Sequence, residues 1–429
     1  MASVYARLLV MNASEAPARP APAVLRLDVR SPAFKENPSP TLARMRDAGP
    51  LIRLRLPLVG TTWVATTYDA VTELLSDHQR FVQSPWAAGN RWIPILLRLL
   101  PRTLRPLTTN ITLRDEPDHR RLRLLVDRAF RVRSVDALRP HLEALADQAA
   151  DEFARQASRT PAVDLIAHFA RPFPLAVICE LLGLPPEDRS KFTQWASVVS
   201  TGTSVLRLVR GVRGLTRTTR YLRTEIARQA VTRRVGLIGA LIDAEEAGDR
   251  LTEDEMIAMV VTLLIAGHET TVHQIAGSVL TLLDHPGDLR ALTADWGLVE
   301  CAVEELLRHL SFGQFSKPRF AREDLVFRGR RIRRGDMAFA CLAAANRDPA
   351  VFPDPDRLDL GRAPNRHVAF GDGIHHCLGA ALARTEVQIA LRVIFTRFPD
   401  LTLAVPRSHI RFTGPLGART LALLPVRLG

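Results

Sequence analysis

The segment Phe370-Gly371-Asp372-Gly373-Ile374-His375-His376-Cys377-Leu378-Gly379 sets one cysteine in a glycine-rich turn. An apolar run that reads as a helix, Ala380 to Phe395, follows at once. A thiol there lies at a helix N-terminus, where free N–H groups and the positive end of the helix dipole are expected to lower its pKa. Gly371, Gly373 and Gly379 permit turns and close approach to a flat partner that side-chained residues would obstruct. A thiolate offered in this way suits a soft or redox-active metal, and haem iron held by cysteine is one known solution. Three other readings stand beside it. The cysteine can be an inert core residue. His375, His376 and Cys377 can be a zinc cluster, although adjacent ligands do not easily face one metal and no second Cys/His pair lies at zinc spacing. The turn can be a dinucleotide loop, but His376 stands at the last glycine position and no strand-helix-strand unit surrounds it.

A second cluster of chemistry-bearing residues lies in Ala266-Gly267-His268-Glu269-Thr270-Thr271. The element that must position it opens on a capping box, Thr252-Glu253-Asp254-Glu255, and runs to Leu283 before Pro286. It is apolar nearly all round, so it is expected to cross the middle of the protein. An acid, two hydroxyls and a glycine inside such a helix conflict with local propensity, as functional sites often do. Thr270 can bond back to a carbonyl one turn earlier and Gly267 weakens the helix beside it. A local widening is therefore expected; the competing reading is a helix-packing notch with a solvated Glu269. A third pattern, Glu305 and Arg308 at i,i+3 on the helical run Val299 to Leu310, can pair on one face, with Arg357 as the candidate third partner.

The remaining elements read mostly as helices. Short strand-like pieces occur near 51–56, 61–66, 325–332, 337–341, 401–405 and 420–426. No repeat and no convincing linker divides the chain, so the expected fold is mainly α with small β-sheets at one side. Residues 1–40 read as a flexible N-terminal arm and 41–429 as one domain. With 429 residues and 47 % hydrophobic content the chain can bury a large core. Its four cysteines, Cys179, Cys301, Cys341 and Cys377, are scattered as in a reducing cytoplasm. Tyr5 to Met11 is too short an apolar run to span a bilayer, and no membrane association is expected. The net charge of +13 is almost all arginine, the only lysines being Lys35, Lys191 and Lys317. It reads as attraction for an acidic protein or as a general basic surface. Arg207, Arg210, Arg213, Arg217, Arg220 and Arg223 mark one face of a helix. No nucleic-acid signature accompanies them, and no nucleic-acid partner is expected.

Taken together, these motifs resemble the cytochrome P-450 family of haem-thiolate monooxygenases over roughly residues 40 to 429. Phe370, Gly373, Cys377 and Gly379 meet F-x-x-G-x-x-x-C-x-G. Ala266, Gly267, Glu269, Thr270 and Thr271 meet A/G-G-x-D/E-T-T/S, and Glu305 with Arg308 meets E-x-x-R. The resemblance implies a P-450 fold enclosing haem b (iron protoporphyrin IX), with Cys377 as the metal ligand. It implies that His119, Arg123, Arg319 and His375 hold the haem propionates. It places Ala266 and Gly267 at an oxygen groove and makes Glu269 and Thr270 the catalytic proton-relay pair. Insertion of one atom of O2 into a small hydrophobic substrate is implied, as hydroxylation or epoxidation in bacterial secondary metabolism. Electrons are expected from an acidic ferredoxin with an NAD(P)H-dependent ferredoxin reductase, docking near Arg120, Arg121 and Arg128, in a cytoplasmic setting. Phe312, Gln314 and Phe315 are expected to line the pocket. The alternative is a non-catalytic haem- or ligand-binding protein of the same fold.

Overall fold

A computed structural model describes residues 24–56, 60–89, 102–131, 135–189, 191–192, 205–232, 234–246 and 251–429. Of the expected arm, residues 1–23 lie outside the described residues, but residues 24–40 are folded. Val24–Leu25 (β1) pairs in parallel with Leu51–Leu56 (β2), and Phe34 is fully buried. The arm boundary at 40 is therefore too late, because an apolar strand and a Ser31-capped turn of helix at Pro32–Glu36 bind this stretch to the body.

Strands β2 and Gly60–Ala65 (β3) form a hairpin, and β3 pairs in parallel with Met337–Ala340 (β6). Arg319–Ala321 (β5) and Phe81–Val82 (β4) complete a six-stranded sheet of order β1-β2-β3-β6-β5-β4. The rest is mainly helical. The helices that matter here are Tyr68–Ser76 (α1), Asp118–Arg131 (α2), Pro172–Leu182 (α3) and Val205–Thr232 (α4). They continue with Glu253–Asp284 (α5), Val299–Leu310 (α6) and Ala380–Arg397 (α7).

Helix α5 begins as its sequence dictates. The Thr252 side chain accepts from Glu255 N–H while the Glu255 carboxylate accepts from Thr252 N–H. It stays α-helical over 32 residues, so the expected widening is not seen. Length and composition alone would let it cross a membrane, but most of its apolar window is buried inside the protein, as in a core helix. Its burial is divided. Met256 to Leu264 pack in one hydrophobic cluster with α2, α3 and α4, and Val272 to Leu282 pack in another with α6 and α7. Residues 266–271 belong to neither cluster. The cysteine turn meets the same seam: Phe370 packs against the second cluster and Leu378 against the first. Apolar packing thus brings two sequence motifs to one boundary and leaves both with faces not covered by core.

Candidate functional site: a cysteine turn, a donor cluster and a core-helix stripe

The cysteine turn is built on backbone hydrogen bonds. Val368 N–H donates to Asn346 Oδ1 at 2.8 Å, Gly371 N–H to the Val368 carbonyl at 2.9 Å, and Cys377 N–H to the Phe370 carbonyl at 3.0 Å. Gly373 has φ +70°, and a Cβ there would lie 2.3 Å from the Leu75 carbonyl of α1. Its glycine is required by that helix contact rather than by a flat partner. Around Gly379 a Cβ would meet no atom within 4 Å, which is the open face a planar group needs. Cys377 is solvent-accessible, yet protein crowds it on most sides, as at the wall of an interior recess. Burial therefore raises its thiol pKa, and the Gly379 N–H and the Arg123 and Arg384 charges only partly oppose this. The expected depression by the helix terminus does not prevail in the metal-free chain, because desolvation of a thiolate outweighs a terminus three residues away.

Beside this turn, basic side chains converge; Glu116 faces His119 and Asp127 pairs with Arg123, while Arg319 and His375 have no ion-pair partner among the described residues. His119 (α2) and His375 lie with ring centroids 4.3 Å apart. Arg319 (β5) is 1 % exposed. Among the described residues, His119 Nδ1, Arg319 Nη1 and His375 Nε2 are buried with no hydrogen-bond partner. His119 Nδ1 approaches Glu116 Oε1 to 3.5 Å, an ion-pair distance. Burial, then the charges of Arg319, His119, Lys317 and Arg123, push His375 down to about 2, and burial brings Arg319 down to about 10. Arg123 Nη1 donates to the His376 carbonyl at 2.8 Å and holds the turn to α2. Unpaired buried donors are costly unless something accepts from them. A planar group carrying carboxylates fits this set, as haem does. Cys377 would ligate its iron, and the four expected residues His119, Arg123, Arg319 and His375 stand together. His376 is exposed, and its ring lies 6.3 Å from that of Phe370. Among the described residues no group of three or more His, Cys, Asp or Glu side chains is placed to hold a metal by itself.

On α5, Ala266 and Thr270 are exposed although the helix is a core element. With His273 one turn on, they form a stripe at the seam. Thr270 Oγ1 donates to the Ala266 carbonyl at 2.7 Å. Gly267 points elsewhere: a Cβ there would lie 2.8 Å from Ile178 Cδ1 of α3, so its role is a packing notch between two helices. Glu269 is not solvated. Arg171 Nη1 lies 3.0 Å from Oε1 and donates to it, His268 Nε2 is 3.3 Å from Oε1, and His273 Nε2 is 3.5 Å from Oε2. Burial alone would raise this carboxyl, but the contacts of His268 and His273 and the Arg171 charge hold it well below the usual range. His273 also stacks on Phe312 at 5.3 Å. Sequence reading missed His273, which stands four residues from Glu269 on one helix face, and Arg171, for which no local signal exists.

The support beneath the turn corrects one assignment. Glu305 and Arg308 are fully buried and paired at 2.7 and 2.8 Å. The third member is Arg362, whose Nε lies 3.2 and 3.1 Å from the two Glu305 oxygens. Arg357 instead faces outward to Asp359 and offers only its carbonyl to Arg308 and Arg362. The chain between 357 and 362 turns back on itself, which carries the later arginine inward. Gln314 also departs from expectation: it is 1 % exposed and accepts from Lys35 Nζ at 3.2 Å, so it does not line a pocket. Arg120 is exposed, Arg121 pairs with Glu255, and the side chain of Arg128 lies outside the described residues.

Comparison with known proteins agrees with this arrangement. A sequence profile for Cytochrome P450 matches residues 212–405. The polyketide biosynthesis cytochrome P450 PksS of Bacillus subtilis is 37 % identical over 403 residues, spanning 92 % of this chain and 96 % of that protein. Mycinamicin IV hydroxylase/epoxidase of Micromonospora griseorubida is 38 % identical over 385 residues, 89 % of this chain and 93 % of that one. A myxobacterial cytochrome P450 crystallised with myristic acid superposes with a TM-score of 0.82 at 40 % identity, covering 94 % of this chain and 99 % of the other. With the cysteine turn, the donor cluster and the buried Glu305 network all in place, the chain belongs to the cytochrome P450 family and is a P450 monooxygenase.

Proposed function

We propose that this monooxygenase hydroxylates or epoxidises a hydrophobic product of bacterial secondary metabolism, of the size and character of a polyketide or macrolide. The observation that carries the reading is the set of unpartnered buried donors, His119 Nδ1, Arg319 Nη1 and His375 Nε2, beside the Cys377 turn. The class of substrate is supported by relatives such as the mycinamicin IV hydroxylase/epoxidase and the polyketide biosynthesis cytochrome P450 PksS; the cytochrome P450 monooxygenase PikC of Streptomyces venezuelae is 38 % identical over 408 residues.

Haem b, held by Cys377 and by propionate bonds from His119, Arg123, Arg319 and His375, supplies the activation and cleavage of O2 when bound. The chain's own residues orient and protect it. Phe370 packs at the base of the turn, and the Gly379 N–H hydrogen-bonds to the sulfur and damps its charge. Ala266 lines the oxygen side, where a methyl group leaves room for a small ligand, and Gly267 lets α5 approach α3 closely enough to set that position. Thr270 carries the mobile proton at Oγ1, released from the Ala266 carbonyl when another acceptor arrives. Glu269 stays ionised and fixes the His268 and His273 rings beside the next residue, since a carboxylate held by Arg171 and two histidines is a poor proton carrier. Electrons come from an acidic ferredoxin and its NAD(P)H-dependent reductase, matched to the net charge of +13, and the enzyme works in the cytoplasm.

The test is the absorption spectrum of the reduced carbon monoxide complex, with and without Cys377→Ala. A red-shifted Soret band that the substitution abolishes is the expected result. A wild-type protein lacking that band sinks the haem-thiolate assignment. Reconstitution with ferredoxin and reductase on macrolide and linear polyketide substrates then tests the substrate class, and turnover confined to small polar compounds would contradict it.

A further inference from the structure

Beneath the cysteine turn lies an ion pair that the mechanism above does not use. Arg384, on α7 seven residues beyond Cys377, donates from Nε to Glu304 Oε1 at 2.6 Å and from Nη2 to Oε2 at 2.9 Å. Such a two-pronged bond fixes the plane of the guanidinium as well as its place. Glu304 belongs to α6, so the pair ties the helix of the Glu305 network to the helix that follows the cysteine. His367 Nε2, on a side chain 2 % exposed, lies 3.2 Å from Glu304 Oε2 and faces the carboxylate from a third direction. Burial tends to raise the Glu304 carboxyl, but the contacts of His367 and Arg384 bring it down to about 2. The anion is therefore permanent at working pH, and so is its grip on Arg384.

The guanidinium carbon of Arg384 lies 4.6 Å from the centroid of the Phe370 ring. A cation over an aromatic face is attracted to it, and the attraction orients the ring. Phe370 is the residue whose carbonyl receives the Cys377 N–H, and its ring also touches His367 at 6.0 Å and His376 at 6.3 Å. Three side chains thus fix one ring beneath the ligand turn. The Arg384 guanidinium is thereby held against the residue that accepts the Cys377 N–H. A cation near a centre that gains an electron stabilises the reduced form, and the protein holds this one on a rigid frame.

We propose that Arg384, oriented by Glu304 and stacked on Phe370, is a positioning residue that sets the electron affinity of the iron held by Cys377. The proposal rests on the haem-thiolate reading. Its content is that the Glu304–Arg384–Phe370 stack, and not the surface charge of the enzyme in general, determines how readily the centre accepts its first electron. Glu304 places the charge, Arg384 carries it, and the ring transmits its position to the ligand turn.

The measurement is the ferric/ferrous midpoint potential of the purified holoenzyme, by spectroelectrochemical titration, in wild type, Arg384→Lys, Arg384→Gln, Glu304→Ala and the double variant Arg384→Gln/Glu304→Ala. Arg384→Gln is expected to shift the potential to more negative values, with Arg384→Lys restoring most of the shift because the charge is kept. Arg159, an exposed arginine remote from the turn, supplies the control: Arg159→Gln leaves the potential in place. Loss of the Glu304 anion alone would raise the potential by simple charge arithmetic. Because it also releases Arg384, its shift in the wild-type background is expected to be less positive than in the Arg384→Gln background, a non-additivity that reports positioning. An Arg384→Gln potential equal to wild type, in a protein with a normal thiolate Soret band, overturns the proposal and leaves the haem assignment standing. Strict additivity of Glu304→Ala and Arg384→Gln overturns the role of Glu304. A wild-type protein with no thiolate Soret band overturns the haem reading itself.

Discussion

Arg362 Nε lies 3.2 and 3.1 Å from the two carboxylate oxygens of Glu305, and both side chains are buried. The same carboxylate accepts from Arg308 at 2.7 and 2.8 Å, from Asn365 Nδ2 at 3.1 Å and from the Asp359 N–H at 3.0 Å. Every lone pair of a buried anion is thereby occupied, which is what such a group needs in order to be tolerated.

Removing one partner of a satisfied buried pair leaves an uncompensated charge at a cost of about 3–5 kcal/mol. Arg362→Ala is therefore expected to lower the stability of the enzyme by that amount and to weaken haem retention, since the segment from 357 to 368 leads into the cysteine turn. Arg357→Ala removes only an exposed pair with Asp359 and is expected to change stability by no more than about 0.5 kcal/mol. Denaturant midpoints of the two variants, followed by tryptophan fluorescence, decide between them. Equal losses would return Arg357 to the network.

Thr270→Ala tests the α5 stripe. Among the described residues the hydroxyl is bonded only to the Ala266 carbonyl of its own helix, so its removal is expected to leave the fold and the carbon monoxide spectrum unchanged. Product formed per O2 consumed is expected to fall severalfold or more, within the roughly 10²-fold scale of a lost proton-transfer group, with hydrogen peroxide making up the difference. Normal coupling would show that Thr270 Oγ1 does not carry the proton. Arg171→Gln frees the carboxylate of Glu269 from its nearest partner. Burial then raises the Glu269 carboxyl, and the acid limb of the pH–coupling profile moves upward; an unmoved limb would mean that Arg171 does not govern this carboxylate.

Arg319 offers a case in which the two states of the protein respond in opposite directions. Its Nη1 is buried without a hydrogen-bond partner among the described residues, an arrangement that costs stability unless something accepts from it. Arg319→Met is expected to leave the haem-free chain as stable as wild type or more so. If Arg319 holds a propionate as proposed, the change removes a charge-assisted bond worth roughly 1.5–3 kcal/mol, or about 10- to 100-fold in haem affinity. Paired measurement of apo-protein melting and haem transfer to apomyoglobin checks both signs. A loss of apo stability would show that Arg319 serves the fold rather than the cofactor.

Much of this architecture is legible in the sequence where a physical rule is local. The Thr252–Glu255 capping box, the uninterrupted apolarity of α5 and the run Val299–Leu310 each determine an element without reference to the rest of the chain. The cysteine turn is legible because its glycines and cysteine do not suit an ordinary core. What sequence cannot supply is the partner across a fold. Arg171 stands 98 positions from Glu269, and Glu304 80 from Arg384; no periodicity joins them. Arg357 and Arg362 are five residues apart and chemically identical, so only the turn between them decides which one enters the core. The thiol of Cys377 makes the same point for electrostatics. Its helix terminus can be read from sequence, but the desolvation that outweighs it depends on how the remaining chain closes around it.

Acid lability follows from the buried imidazoles and can be traced to a residue remote from the cofactor. Burial, then the charges of Arg347, Arg308, His285 and Arg419, pushes His309 down to about 2. In the unfolded chain it titrates near 6.5. Between these two values the unfolded state binds the extra proton, so folding stability rises with pH across that window and is unaffected above it. As pH falls from about 6 to 5, His309 is expected to withdraw roughly 1 kcal/mol of stability, the linkage for one proton being about 1.4 kcal/mol per pH unit. Glu269 makes no contribution in this range, because a carboxyl held low in the folded state loses its stabilising effect only as pH falls below its unfolded value. His309→Gln should therefore flatten the dependence of denaturant midpoint on pH between about 6 and 4 by one proton's worth while leaving the value at pH 8 little changed. An unaltered slope would mean that His309 is able to take up a proton in place, through movement of Arg347 away from it.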